Sequence, residues 1–326
     1  MGRNYRHFVY DEKQRFIYPT SDWGFKYLFA TEENKGLLLG ILQRLLPDLG
    51  IVSLEYLTRD ITIPVGKMKD ANFDVHCRLA NGDRVVVEMQ NYVRTSFLDR
   101  SLVYTSAAVL EHFVNSKVRG YKLGKTIYIA FTGDPVYKEI QNTPVRIGLC
   151  NLDSERTTVL NENLLQIFIE LPKFTGSLQG MTAETPFIEK LSYVLMEMAD
   201  CQEIPDNLDD ELLQSIFKAA DTCTMNMEKK NEYMKSIIGE YEYDANLYDA
   251  REEGREEGRE EGRELGREEG REEGREEGRK EGRKEGREEG REEGIRIVAK
   301  NLKSSGLAIS AISSATGLSP ETVAGL

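Results

Sequence analysis

Residues 73–90 hold two runs of alternating apolar and polar residues around Ala80-Asn81-Gly82. Successive side chains on a strand point to opposite sides, so a slip of one residue would turn a whole face over. That makes this segment the strongest constraint on the fold. In the first run Phe73, Val75, Cys77 and Leu79 are expected on one side, with Asp74, His76 and Arg78 on the other. In the second, Val85, Val87 and Met89 oppose Arg84, Val86, Glu88 and Gln90. A two-residue Asn81-Gly82 turn would set Asp74 against Met89 and mix the faces. A three-residue loop, with Gly82 in the left-handed region that glycine adopts freely, sets Asp74 opposite Glu88 instead. Directly opposed Cβ atoms lie about 4.5–5.5 Å apart. Two carboxylates that close repel, and favour a bound cation or a shared proton. The run Val85-Val86-Val87 reads as buried on both faces, where a lone Glu is costly without a partner. Magnesium is typically held by one or two carboxylates together with waters and substrate phosphates.

Around this hairpin the pattern predicts an α/β chain. Residues 1–20 read as irregular. Ser21 or Asp22 can cap a helix whose apolar face is Phe25, Leu28 and Phe29. A second helix over Leu37–Leu46 ends before Pro47. Ile51–Leu57 reads as a strand, and 60–70, with Pro64 and Gly66, as a loop near the site. Thr95–Ser116 reads as a long helix with Arg100 and Tyr104 one turn apart, so that a cation and a phenol share a face. Lys125–Thr132 reads as a buried strand parallel to a neighbour, joined to it across that helix. Val145–Leu149 and Leu164–Leu171 are further strands. Phe187–Met198, Glu211–Ala220 and about Met225–Tyr243 are helices that pack on the sheet.

Ser21-Asp22-Trp23-Gly24-Phe25-Lys26-Tyr27-Leu28-Phe29 is similar to the opening helix motif of the Rpn recombination-promoting nucleases, also described as transposases of the PD-(D/E)XK nuclease superfamily. Asp74, the Gly82 turn and Glu88-Met89-Gln90 resemble the central motif of that family. Arg100 and Tyr104 resemble its following helix, Gly120-Tyr121-Lys122-Leu123 the segment before the next core strand, and Ile169-Glu170-Leu171-Pro172-Lys173-Phe174 a later landmark. The resemblance spans residues 15–250, with the motifs in order. It implies a restriction-endonuclease-like mixed sheet core flanked by helices, with a helical C-terminal extension. It also implies a DNA endonuclease that uses Mg2+ (or Mn2+) to hydrolyse phosphodiester bonds, associated with recombination or mobile elements. Carried over by position, Asp74 and Glu88 would hold the metal, Gln90 would orient water or substrate, and Asp22 would contribute a further acid. Read from their own spacing and charge, Arg100, Tyr104 and Arg94 are candidate substrate contacts, with a structural pair as the equal alternative for Arg100 and Tyr104. Gln90 stands where the superfamily has a lysine, which is also how the Rpn family usually writes it. An amide does not titrate, so Gln90 can only position a water by hydrogen bonds.

The net charge of −13 runs against DNA binding, which gains from basic surface. Residues 251–294 hold 13 basic and 19 acidic residues and so supply six of those negative charges. Arg94, Arg100, Lys117, Arg119, Lys122 and Lys125 offer a local basic cluster. Cys77, Cys150, Cys201 and Cys223 are widely spaced and form no C-x-x-C pair, which argues against a zinc site and a disulfide framework. His7, His76 and His112 lack metal-ligand spacing, although His76 shares the carboxylates' face. No apolar run is long enough to cross a membrane and the start lacks an export signal, so a cytoplasmic protein is expected.

Residues 251–294 are eleven tandem copies of Arg-Glu-Glu-Gly or a close variant, with Leu265, Lys280 and Lys284 as exceptions. In a helix the glycines would form a slowly drifting stripe, each at about 1 kcal/mol against alanine. The first Glu of each unit meets the next Arg at i+3, whereas the i+4 pairs are like-charged. The expectation is a marginal solvated helix or a disordered tether; a helix dimer formed along the glycine stripe is the functional alternative. In 295–326, Gly306 and Gly317 break short apolar helices, with Ser319 capping and Pro320 at the first helical position. This resembles the helix-turn-helix of DNA recombinases, read first as an interaction hairpin and second as a DNA reader. The expected organisation is a nuclease-like domain over 1–245, the repeat over 246–294 and a small helical segment over 295–326. DNA is the expected partner, with a homo-oligomer through the C-terminal region as a further one. A non-catalytic DNA-binding or assembly protein on the same fold is the alternative function.

Overall fold

The computed structural model describes residues 8–9, 11–61, 71–115, 122–151 and 159–326. Two compact units divide the chain, Met1–Asn246 and Leu247–Leu326.

In the first unit Ser21 caps α1 (Asp22–Phe29), its hydroxyl accepting from the Gly24 N–H at 3.1 Å. The helix α2 (Lys35–Leu45) stops before Pro47, whose ring cannot continue it. Then come β1 (Leu54–Tyr56), β2 (Asp60–Ile61), β3 (Ala71–Asn72), β4 (Val75–Leu79) and β5 (Arg84–Gln90). The helix α3 (Phe97–Asn115) carries the chain to β6 (Thr126–Thr132), followed by β7 (Val145–Cys150) and β8 (Val159–Glu170). The helices α4 (Phe187–Glu197) and α5 (Glu211–Ala220) precede α6 (Met227–Ser304).

Six strands form one mixed sheet in the order β1-β4-β5-β6-β8-β7, and β2 pairs with β3 apart from it. The strand β4 is antiparallel to β1 and to β5. The pairs β5–β6 and β6–β8 are parallel, so α3 is the crossover expected between β5 and β6, and β7 returns antiparallel on the far edge. This is a restriction-endonuclease-like α/β architecture.

The register of the hairpin follows the alternation. Val75 pairs with Val87 and Cys77 with Val85. The loop is Ala80-Asn81-Gly82, with the Leu79 N–H bonded to the Asp83 carbonyl at 2.9 Å and Gly82 at φ +93°. Val75, Cys77, Leu79, Val85 and Val87 join Ile127, Ile129 and Ile167 in a core covered by Phe25, Leu28, Leu42, Leu213 and Phe217. Fully burying each such side chain contributes about 1.5–3 kcal/mol. Val86, Tyr128, Ala130 and Phe168 face the other way, under Phe97, Ala107 and Ala108 of α3. The face that carries the carboxylates is therefore a second core layer, not a solvated surface.

Phe73 departs from the alternation. It packs in the α3 layer, edge-on to Tyr104 and His76, and not beside Val75. The cause is a bend at Asp74: β4 begins only at Val75, and the Asp74 N–H turns to the Glu88 side chain at 3.3 Å. The strand expected over Ile51–Leu57 shortens to β1, whereas the one expected from Leu164 begins at Val159. The expected loop 60–70 lies, from residue 62 on, outside the described residues, as do Lys117, Arg119, Gly120 and Tyr121.

In the second unit the repeat takes the helical alternative. The helix predicted to end near Tyr243 continues without a break to Ser304. Residues 253–294 are exposed throughout. Arg255 pairs with Glu252 at 3.3 Å, the expected i+3 contact. Lys280 pairs with Glu276 at 3.3 Å, so one variant copy converts a repulsive i+4 pair into an attractive one. The end of α6 then folds with α7 (Ile309–Thr316) and α8 (Pro320–Gly325) around Ala299, Ile312 and Val323. Gly306 and Gly317 take the left-handed conformation, and Ser319 caps α8 by accepting from the Thr322 N–H at 3.2 Å.

Candidate active site

Where β4 and β5 begin to separate, the two carboxylates lock onto each other's strand. Asp74 Oδ2 accepts the Met89 N–H at 2.9 Å, and Glu88 Oε1 accepts the Asp74 N–H at 3.3 Å. The Val75–Val87 pairing places Asp74 and Glu88 at successive opposed positions, as the three-residue loop requires. Glu88 is only 7% exposed. Burial holds the Glu88 carboxyl well above its ordinary range, and the neighbouring Asp74 charge raises it further. Burial also raises Asp74, against the pull of the Met89 N–H and of Lys26. Tyr128, packed in the layer beneath, is raised by its burial and by the Glu88 charge. Two hard oxygen donors that resist carrying charge together suit a divalent cation. Among the described residues no group of three or more His, Cys, Asp and Glu side chains is arranged to hold a metal. The remaining ligands of a magnesium ion would then be waters and substrate phosphate, which is how that ion is usually held.

Two cations flank the pair. From α1, Lys26 Nζ lies 3.5 Å from Asp74 Oδ1 and 2.5 Å from Asp22 Oδ1. Asp22 is linked to the site through this lysine and its charge raises Asp74; its own side chain is 61% exposed and its N–H donates to Glu240 Oε1 at 3.0 Å. On the other flank, Arg100 of α3 donates to Gln90 Oε1, while Gln90 Nε2 donates to the Tyr92 carbonyl at 2.8 Å. The Arg100 guanidinium lies over the Phe97 and Tyr104 rings at 5.5 and 5.7 Å. Arg94, in the turn before α3, donates to the Tyr243 hydroxyl.

Asp74, Glu88, Gln90, Arg100 and Tyr104 thus gather at one end of β5. Lys125 does not. Because β6 runs parallel to β5, its start lies beside Arg84, at the opposite end from Gln90, and Lys125 pairs there with Glu162 at 2.9 Å. The basic cluster read from sequence proximity is split by this geometry. His76 is buried, and its Nδ1–H donates to the Thr58 carbonyl at 2.9 Å. Burial holds its pKa below the ordinary value, as for a core histidine. The landmark at 169–174 braces the rim: Glu170 Oε1 accepts the Val136 and Tyr137 N–H groups at 2.5 and 2.6 Å, and Lys173 pairs with Glu170 and donates to the Tyr137 carbonyl at 2.8 Å.

Sequence reasoning missed Lys26 as a site residue. Its i+4 spacing from Asp22 was visible, but nothing local in the chain reveals that α1 docks against the bend at Asp74.

The mixed sheet flanked by helices is of the restriction-endonuclease-like class. A family model described as PD-(D/E)XK nuclease family transposase matches residues 19–249, and the chain belongs to that family. No curated protein and no solved structure matches the chain. Membership supports a nuclease- or transposase-like role with DNA as substrate. Among the described residues no helix is long and apolar enough to cross a membrane. The four cysteines are free.

Proposed function

We propose that this chain is a metal-dependent DNA endonuclease that hydrolyses phosphodiester bonds, with Asp74 and Glu88 holding magnesium or manganese. The observation that carries the reading is the buried carboxylate pair: each side chain accepts a main-chain N–H from the other strand, burial raises both, and the Asp74 charge raises Glu88 further. When bound, the divalent ion supplies charge stabilisation on the phosphate and eases ionisation of the attacking water. In the reaction a water oxygen bonds to phosphorus as the bond from phosphorus to the leaving sugar oxygen breaks. The water gives up a proton and the leaving oxygen takes one.

The residues divide this work. Asp74 and Glu88, both ionised, fix the ion at the end of β5. Gln90 holds Arg100 through its carbonyl oxygen and keeps one amide hydrogen with which to orient a water. Arg100, stacked between Phe97 and Tyr104, retains guanidinium donors for a phosphate oxygen. Arg94 steers the substrate backbone at the rim. The family's link to transposition supports a role in recombination or mobile-element biology.

Nicking of supercoiled plasmid with and without magnesium tests the reading. Wild type is expected to nick only with the ion, and Asp74→Ala and Glu88→Ala to lose at least about 100-fold in rate. Cleavage that survives both substitutions would overturn the site. A wild type that binds DNA without cutting it under any divalent ion would favour a non-catalytic DNA-binding protein.

A further inference from the structure

Gln90, an amide, brings no positive charge of its own to the carboxylate pair. Both ends of its amide are also engaged, one with Tyr92 and one with Arg100. A cation reaches the carboxylates from another element. The Lys26 ammonium stands 3.5 Å from Asp74 Oδ1, on the first helix of the domain and far from the hairpin in sequence. Asp22, one turn earlier on the same helix, accepts from it at 2.5 Å and fixes its direction. An ammonium has three hydrogens. Among the described residues Asp22 takes one by hydrogen bond and Asp74 stands at ion-pair distance, so the ammonium has a hydrogen to offer a further acceptor. The side chain is 28% exposed, so that hydrogen is within reach of a ligand arriving from solvent.

Building on the endonuclease reading, we infer that Lys26 is a catalytic residue that contacts a non-bridging oxygen of the scissile phosphate, supplying from α1 the charge that position 90 lacks. The phosphate gains negative charge on these oxygens as the water attacks. An ammonium already oriented by two carboxylates stabilises that charge without reorganising. The same contact exists in the ground state, so it also contributes to DNA affinity. Asp22 is then a positioning residue, acting through Lys26.

Full-length Lys26→Met keeps the aliphatic stem and removes the charge; Lys26→Arg keeps the charge. Two measurements are made on each: single-turnover cleavage at saturating magnesium, and the salt dependence of DNA binding with calcium replacing magnesium. Lys26→Met is expected to slow cleavage about 100-fold or more, and Lys26→Arg to recover part of the loss. Loss of one phosphate contact lowers the slope of log affinity against log salt by about 0.9 for duplex DNA. Unchanged cleavage in Lys26→Met, alongside a dead Asp74→Ala, would overturn this inference and leave the endonuclease reading intact. Slowed cleavage with an unchanged salt slope would also overturn it, by showing that Lys26 only supports Asp74. If wild type itself fails to cut with magnesium, the endonuclease reading falls and this inference falls with it. Should Lys26→Met melt well below wild type, Lys26→Arg decides: cleavage and slope near wild-type values support the contact, and an Arg variant as slow as one lacking the charge overturns it.

Discussion

The end of β5 and the repeat helix are both rich in charge, yet they hold it in opposite ways. At the sheet, Asp74, Glu88, Lys26 and Arg100 each have particular partners, and moving any of them would strand another in a place with little water. Along 251–294 the charges stand in solvent, repeat every four residues, and form ion pairs of the exposed kind that contribute little. In the first region identity and register matter at every position. In the second the composition matters and single residues are interchangeable. Substitutions in the two regions should therefore differ in size and, for some, in sign.

The largest effect is expected at the rim of the sheet. Glu170→Ala removes the partner of a largely buried Lys173 and the acceptor for two main-chain N–H groups. Breaking such a pair typically costs about 3–5 kcal/mol, which urea unfolding would register as a lower midpoint. A loss under about 1 kcal/mol would remove the distinction drawn between the two regions.

A smaller effect of opposite sign is expected for Glu88→Gln in chelator-treated protein. Burial and the Asp74 charge raise the native pKa of Glu88 above its unfolded value. Between those two values the native chain binds more protons than the unfolded one, so this group's contribution to stability falls as pH rises through the window. Above the window the penalty is complete, and the amide removes it while keeping an oxygen for the Asp74 N–H. The Tm of Glu88→Gln should exceed that of wild type at neutral pH, and the gap should close as pH falls towards about 4, near the ordinary carboxylate range. A gap that stays constant with pH would mean that Glu88 is not held away from its charged form.

The smallest effect per residue belongs to the repeat. A Cβ added at Gly262, Gly266 or Gly270 would meet nothing within 4 Å. Each Gly→Ala change there should favour the helix by about 1 kcal/mol, seen as far-UV ellipticity retained to higher temperature. Reduced ellipticity would show that the glycines serve a close contact and not mere spacing.

The hairpin was legible because strand alternation and a glycine turn are local signals; Val85 to Gln90 sort to the two faces as their spacing demands. Phe73 was not, because the bend beside it depends on where the Asp74 N–H finds its acceptor, fourteen residues on. Asp74 and Glu88 could be paired from the turn length alone. Lys26 could not be added, since the docking of α1 onto the hairpin is set by Phe25, Leu28 and the sheet core together. Lys125 was misplaced for a related reason: proximity along the chain was taken for proximity in space, and a parallel crossover reverses that. The repeat's state was undecided because weak terms nearly cancel there, glycine against helix formation and i+3 pairs for it.

The four-residue unit in the continuous helix α6 has a geometric consequence. Four residues advance a helix by about 6 Å and by about 40° beyond a full turn. Within the second unit, gaining or losing a copy, which leaves the reading frame intact, would move the residues that follow the repeat by that step and turn them by that angle relative to the start of the repeat. After nine copies the bearing returns to its start. Tandem slippage in the coding DNA would thus change the spacing between the start of the repeat and the cluster at Ala299, Ile312 and Val323 in fixed steps, without altering a single residue of that cluster.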